Sequence, residues 1–87
     1  MHIVWDAPKR QVNLLKHGLD FALLTPDFFL DAMVVEARDG RLKAIGRLPA
    51  DGAAVVVIFK PLGDEALSIM SMRPANAMER RSLDDRS

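Results

Sequence analysis

Four polar side chains in the segment WDAPKRQVNLLKHG, residues 5–18, could bind a phosphate and move protons. They fall on one side of a helical wheel and are Lys9, Asn13, Lys16 and His17. Lysine supplies a compact positive charge, and histidine is the side-chain type that most readily exchanges protons near neutral pH. The segment therefore carries groups suited to phosphate chemistry.

Further cations follow in two later segments. The stretch RLKAIGRL alternates, which places Arg41, Lys43 and Arg47 on one side of a strand. Arg73 ends an apolar stretch, six residues before Glu79. Arginine binds phosphoryl oxygens through paired hydrogen bonds. RNA contains its own nucleophile, the 2′-hydroxyl, so a proton acceptor, a proton donor and positive charge are enough to cleave it without a metal.

Each of these residues also has an ordinary structural explanation. A polar helix face is often simply solvated, and His17 in the last turn of a helix suits the helix dipole. The cations of RLKAIGRL fit the solvent side of a strand. Arg73 and Glu79 fit a structural ion pair as well as a site, in which Glu79 is either a proton acceptor or the partner that orients Arg73. Residue types alone leave both explanations open.

The composition excludes several classes of protein. The 87 residues suffice for one domain, and 12 basic and 12 acidic side chains cancel, so no basic lobe indicates a nucleic acid. The sequence has no cysteine, two histidines, and no glycine-rich phosphate loop, GxSxG or HExxH motif. We therefore expect neither a metal centre nor a cofactor. The longest apolar run, AAVVVIF, is too short to span a bilayer, so we expect a soluble, cytoplasmic protein without a membrane contact.

The first half of the chain predicts a short strand and two helices. HIVW has the character of a strand, and the helix that follows it ends at Gly18, the residue type that most often closes helices. On a wheel, Val12, Leu14 and Leu15 share the apolar side of this helix. The sequence TPD then predicts a second, short helix over residues 26–30.

The second half of the chain predicts an antiparallel meander of four strands. Turn residues separate the segments AMVVEA, RLKAIGRL, AAVVVIFK and ALSIMSMR. AAVVVIFK is apolar on both sides and should be the most buried strand. Pro74 opens a final helical segment. The expected architecture is one α+β domain over residues 1–87, in which an antiparallel sheet, the N-terminal strand plus the meander, is packed by two or three short helices.

Three of these segments together resemble the BrnT family, the toxins of bacterial type II toxin–antitoxin pairs. WDAPKRQVNLLKHGLDF matches the family spacing W-D-x-x-K-x-x-x-N-x-x-K-H-G-x-x-F, and RLKAIGRL matches R-x-x-x-I-G. The third segment, LSIMSMRPANAMERR, matches the family pattern at Ser71, Arg73, Ala75 and Glu79. The chain departs from the family at three positions, which are Ser68 for an arginine, Met72 for an alanine and Leu83 for a tyrosine.

The resemblance implies a fold similar to the RelE-like toxins and metal-independent cleavage of RNA, which would inhibit translation and growth. The motif match proposes a set of catalytic residues, namely His17, Arg41, Arg73 and Glu79. It proposes a set of RNA-binding residues, namely Lys9, Asn13, Lys16, Lys43 and Arg47. It also implies a BrnA-like antitoxin with a ribbon–helix–helix part, through which alone the complex would reach DNA. Ser68 and Leu83 leave an alternative, a degenerate toxin kept as an antitoxin-binding module.

Overall fold

A computed structural model describes residues 1–86 as a five-stranded sheet with helices on both of its faces. The strands are β1 (His2–Trp5), β2 (Met33–Glu36), β3 (Leu42–Arg47), β4 (Ala54–Leu62) and β5 (Ala66–Pro74). The helices are α1 (Ala7–His17), α2 (Pro26–Asp31) and α3 (Ala77–Asp85), with a single 3₁₀ turn at Phe21–Leu23. None of the helices in this described part is long and apolar enough to cross a membrane.

The sheet is mixed, which corrects the expectation of a purely antiparallel one. Its strand order is β1-β5-β4-β3-β2, and the four strands β2 to β5 form the predicted antiparallel meander. β1 instead lies parallel to β5, with His2 opposite Ala66 and Trp5 opposite Ile69. The chain between β1 and β2 passes through two helices, so β1 is free to join the far edge of the meander. A RelE-like fold stays a prediction.

The two faces of the sheet carry two separate apolar clusters. The larger cluster packs the 3₁₀ turn and α2 against the sheet and includes Phe21, Leu24, Phe28, Ala44, Leu48, Val55, Val57, Phe59, Ile69 and Met72. The smaller one lies under α3 and consists of Ile45, Val56, Ala75 and Leu83. β4 contributes to both clusters, and Val55, Val56 and Val57 are each at most 1% exposed. The prediction that this strand is the most deeply buried is therefore consistent with the packing.

The helix α1 packs through a polar residue, contrary to the expectation from its apolar side. Asn13 is 6% exposed, its side-chain oxygen accepts the Met72 backbone N–H at 2.9 Å, and its NH₂ donates to the Leu19 carbonyl at 3.1 Å. β1 ends opposite Ile69, so Asn13 takes the place of a strand partner where the edge of β5 would otherwise be open. Leu15, on the opposite side of the helix, is 89% exposed. A helical wheel distinguishes the two sides of a helix but does not show which side packs against the rest of the domain.

The ends of α1 are fixed by local interactions. Gly18 has φ 68° and its N–H binds the Leu14 carbonyl, as predicted for a helix stop. Arg10 donates two hydrogen bonds to Asp20, at 2.7 and 2.8 Å, and its guanidinium lies 5.9 Å from the centre of the Trp5 ring. These contacts hold α1 against the start of the 3₁₀ turn.

The last helix begins later than the sequence analysis predicted. Pro74 is the final residue of β5 and not the start of a helix. Asn76 is the N-cap, and its side chain accepts the backbone N–H of Glu79 at 2.8 Å. The predicted short helix over residues 26–30 is present and ends at Asp31, with Thr25 as its N-cap.

Candidate functional site

Three charged side chains meet between the sheet and α3. Arg73 donates from Nη1 and Nη2 to the two carboxylate oxygens of Glu79, at 2.8 Å each. The Nζ of Lys43 lies 3.2 Å from Glu79 Oε2. Glu79 is 8% exposed, whereas the side chains of Arg73 and Lys43 are 41% and 31% exposed. We call these three residues the Arg73 cluster.

The start of α3 holds Glu79 in place. Its Oε1 accepts the Asn76 N–H at 2.9 Å while the Asn76 side chain accepts the Glu79 N–H, a reciprocal capping box. The segment Asn76-Ala-Met-Glu79 has the spacing of this motif, a polar cap residue followed three positions later by a glutamate. The cap fixes the carboxylate, and the carboxylate in turn fixes Arg73 on β5 and Lys43 on β3.

The carboxylate of Glu79 is a strongly stabilised anion. Hydrogen bonds from Arg73 are the main cause that lowers its pKa from 4.5 to about 2, with smaller contributions from the Asn76 N–H and Lys43, while burial opposes the change. The same pair raises the pKa of Arg73. An ionised carboxylate offers about four lone-pair sites, and four donors approach the Glu79 oxygens. Glu79 is thus suited to orient Arg73 and poorly suited to accept a proton at neutral pH.

Arg73 and Lys43 keep donors for an additional ligand. Arg73 uses two N–H groups on Glu79 and one on the Pro74 carbonyl, at 3.2 Å, out of the five that a guanidinium carries. Lys43 uses one of its three on Glu79. Two cations and one carboxylate leave the cluster with one net positive charge, so it can bind an anion.

A β-bulge places Ser68 on the same side of the sheet as Arg73. Ile58 pairs with Ser71 whereas Phe59 pairs with Ile69, so Met70 is an extra residue in β5. Residues five apart in a regular strand face opposite sides, and the bulge reverses this. The position at which the family resemblance places an arginine therefore lies on the same face as the Arg73 cluster.

Strand register extends this face beyond the end of α3. Lys60 on β4 pairs with Ser68, which in turn pairs with Val4 on β1. Arg41 immediately precedes Leu42, the partner of Phe59, so the alternation of β3 continued by one residue puts Arg41 beside Lys60. Lys60 was not among the predicted site residues, because AAVVVIFK was predicted to be buried on both sides. Alternation along the strand could have identified it, because Lys60 is two residues after Ile58 and therefore faces the same side of the sheet, the side that carries α3.

Arg47 lies on the same side of β3 but is occupied by other contacts. It donates to Asp84 at 2.9 Å and to the Gly52 carbonyl at 3.0 Å. Both side chains of the ion pair are largely exposed. Arg47 therefore borders the C-terminal end of α3, at the end of β3 opposite Arg41.

The structure does not connect the predicted residues of α1 to the Arg73 cluster by any hydrogen bond or ion pair. Lys9, Lys16 and His17 have no such side-chain partner within residues 1–86. Asn13 is buried and both ends of its amide are engaged, which gives it a structural role. It also brings α1 next to the strand segment that carries Arg73. In the same described part, no three His, Asp or Glu side chains are grouped as ligands for a metal ion.

Comparison with known proteins adds an independent finding. The model of a family described as the ribonuclease toxin BrnT of type II toxin–antitoxin systems matches residues 5–79. A crystal structure of the Brucella abortus ribonuclease toxin BrnT is similar to this chain, with 54% sequence identity and a TM-score of 0.81. The match covers 87% of this chain and 97% of the solved one. No curated protein matches the chain.

Proposed function

This chain belongs to the BrnT family of ribonuclease toxins from type II toxin–antitoxin systems, and on that premise we propose that it cleaves RNA without a metal ion. The observation that carries the proposal is the Arg73 cluster. A buried carboxylate holds Arg73 and Lys43 in fixed positions, while both cations keep donors that point to no other partner in residues 1–86. Prepositioned donors of this kind stabilise charge that develops on a phosphate.

In the proposed reaction the 2′-hydroxyl of one nucleotide gives its proton to His17 while its oxygen attacks the phosphorus attached to the adjacent 3′-oxygen. The bond from phosphorus to the 5′-oxygen of the next nucleotide breaks, and that oxygen takes up a proton, which leaves a cyclic phosphate and a free 5′-hydroxyl. Negative charge accumulates on the non-bridging oxygens during this step. Arg73 and Lys43 bind those oxygens, and Arg41, the residue before β3, adds positive charge at longer range.

Proton transfer needs a group other than Glu79. Its pKa of about 2 and its occupied lone pairs support the alternative in which Glu79 orients Arg73. We propose His17 as the group that moves the proton, since imidazole exchanges protons near neutral pH. The placement of α1 supports this, because Asn13, one helical turn before His17, binds the N–H of Met72, the residue before Arg73. Lys9 and Lys16 on the same helix contact the RNA backbone.

A type II toxin–antitoxin toxin implies an antitoxin partner. We propose that this partner is a BrnA-like protein with a ribbon–helix–helix part, and that this toxin reaches DNA only through it. An adjacent or overlapping reading frame that encodes such a protein would support the assignment. The absence of such a reading frame beside the toxin gene would argue against this antitoxin assignment.

Ser68 and Leu83 favour a second candidate function, an antitoxin-binding module with little or no catalysis. Ser68 faces the same side as the Arg73 cluster, where the resemblance expects an arginine. Leu83 belongs to the apolar cluster under α3 and supplies no hydroxyl. Loss of one charge-assisted contact to a transition state costs about 2 to 4 kcal/mol in the barrier. Such a loss would leave partner binding intact.

Cleavage in the presence of EDTA separates the two candidates. Antitoxin-free protein is incubated with single-stranded and structured RNA, and wild type is compared with Arg73→Ala and His17→Ala. Arg81→Ala is the matched control, because Arg81 lies on the exposed side of α3 and its loss removes the same charge. We expect cleavage by wild type and the control, with losses of about a hundredfold or more for Arg73→Ala. If wild type neither cleaves RNA nor arrests growth, the proposal of ribonuclease activity is refuted. If cleavage requires magnesium, the proposal of a metal-independent mechanism is refuted.

The variant Ser68→Arg tests the module hypothesis directly. The new guanidinium would lie opposite Lys60, on the same face as Arg73. If the missing charge limits activity, cleavage should rise in this variant and Ser68→Gln should not reproduce the gain. Equal activity of all three proteins would show that Ser68 is not the reason for weak catalysis.

A further inference from the structure

Lys60 is a cation on the sheet with no assigned role. It is exposed, it extends from an interior strand, and its partner on β5, Ser68, is small. Within residues 1–86 no carboxylate lies within 4 Å of Lys60. Its backbone is held by pairing on both sides of β4 near this point. Lys60 is therefore a positive charge without an ion-pair partner in residues 1–86, carried by a backbone that strand pairing holds in place.

Two further cations lie close to Lys60. Lys43 is its diagonal neighbour, since Lys43 pairs with Ile58, and such neighbours are about 7 to 8 Å apart. Arg41 lies beside Lys60 at the start of β3 and also has no ion pair within the described chain. Like charges at these positions repel each other. We call Arg41 and Lys60 the β3–β4 cation group, while Lys43 lies between this group and Arg73 and belongs to the Arg73 cluster.

The nearby acid does not neutralise this group. Glu79 contacts Lys43 but is shared with Arg73. Glu36 pairs with Leu42 and so lies at a position of the other face. Because no carboxylate of residues 1–86 forms an ion pair with Arg41 or Lys60, this group is available to an anion from outside the chain.

We propose that the β3–β4 cation group is a second phosphate subsite, which binds the RNA backbone several nucleotides away from the phosphate at Arg73. The inference rests on the proposed function and extends it. Val56 pairs with Arg73, and Lys60 is four residues further along β4, about 13 Å away at 3.3 Å per residue. A stacked strand with a phosphate every 3.4 Å covers this distance with about four nucleotides. The subsite therefore selects RNA longer than a dinucleotide.

Binding of non-cleavable RNA tests this subsite without relying on catalysis. Wild type, Lys60→Gln, Arg73→Gln and the charge-matched control Arg81→Gln are titrated with a 2′-O-methyl dinucleotide and an octanucleotide at several salt concentrations. We expect Lys60→Gln to weaken octanucleotide binding about two- to fivefold, with a salt slope shallower by about 0.7, the value for one phosphate contact. Dinucleotide binding should stay unchanged in Lys60→Gln and fall in Arg73→Gln.

Each outcome separates the subsite from the proposed function. Octanucleotide affinity and salt slope equal to those of Arg81→Gln would overturn the subsite, and so would an equal loss for both RNA lengths. Unchanged RNA binding with weakened antitoxin binding would overturn it too and assign the group to an acidic protein segment. If wild type binds as expected but cleaves no RNA, the subsite stands and the catalytic proposal fails. If wild type does not bind the octanucleotide, both fail.

Discussion

Replacement of Glu79 by glutamine should destabilise the protein at neutral pH and much less in acid. The native state lowers the pKa of this carboxyl from 4.5 to about 2. At about 1.4 kcal/mol for each pKa unit, this corresponds to about 3.5 kcal/mol of folding free energy at pH 7. Solvent screening at the 41% exposed Arg73 side chain reduces the figure, so we expect about 2 to 3 kcal/mol. A protein of this size has about 4 to 13 kcal/mol of stability, so the loss is a large fraction.

The pH window follows from the direction of the pKa change. A carboxyl with a lowered native pKa contributes stability that is fully present above its unfolded value of 4.5 and is lost as the pH falls through about 2. The difference between wild type and Glu79→Gln should therefore be constant from pH 7 to about 5 and shrink towards zero near pH 2. The Arg10–Asp20 pair also weakens in acid, because hydrogen bonds from Arg10 hold the pKa of Asp20 at about 2. This pair weakens equally in wild type and in Glu79→Gln, so its contribution cancels in the difference between their unfolding free energies.

Urea unfolding followed by far-ultraviolet circular dichroism measures this difference at fixed ionic strength. With a slope of about 1 kcal/mol/M, the midpoint of Glu79→Gln should lie about 2 to 3 M below that of wild type at pH 7. Asp85→Asn is a matched control on the same helix and should shift stability by less than about 0.5 kcal/mol. A Glu79→Gln difference that is equally large at pH 7 and pH 2.5, or negligible at pH 7, would refute the electrostatic account.

Three other substitutions test the packing. Asn13→Ala should cost about 1 to 3 kcal/mol by leaving the Met72 N–H unsatisfied, measured by urea unfolding; a neutral result with lost RNA binding would favour the RNA-contact role instead. Gly46→Ala should cost about 1 to 3 kcal/mol, because the new Cβ would lie 2.9 Å from Cε1 of Phe28. That cost should shrink in a Phe28→Leu background, and strict additivity of the two changes would contradict the clash. Leu15→Ser should change stability by less than about 0.5 kcal/mol, since Leu15 is 89% exposed, and a larger loss would indicate that α1 packs by its apolar side.

The features that the sequence predicted are those set by neighbouring residues. Turn residues and two-residue alternation delimit the meander, and TPD and Gly18 mark helix ends. The partner of β1 depends on residues 66–69, more than 60 positions away, and no local pattern contains that information. The side of α1 that packs against the sheet was likewise hidden, because it carries the buried polar residue Asn13, whose side chain accepts the Met72 N–H, a contact 59 residues apart in the chain.

The sequence predicted which residues belong to the candidate site, but it did not predict how they are arranged in space. Arg73, Glu79 and Lys43 were all identified from type and motif, but their contact depends on the α3 cap and on the registers of β3 and β5 against β4. The bulge at Met70 is a sharper case, since a regular strand would put Ser68 on the face opposite Arg73. A residue count along β5 therefore gives the wrong side until the bulge is known.

The Arg73 cluster links the stability of α3 to the proposed chemistry. The bonds that orient Arg73 are the bonds that fasten the first turn of α3 to the sheet, because Glu79 makes both. Arg73→Ala consequently removes the proposed phosphate ligand, and among residues 1–86 it leaves the mostly buried Glu79 carboxylate with Lys43 as its only ion-pair partner. A loss of cleavage in that variant reports on catalysis only if its folded fraction is measured in the same buffer. Arg73→Lys is the more informative change, since it keeps a charge beside Glu79 but lacks the paired geometry that holds a guanidinium against a carboxylate and a phosphate at once.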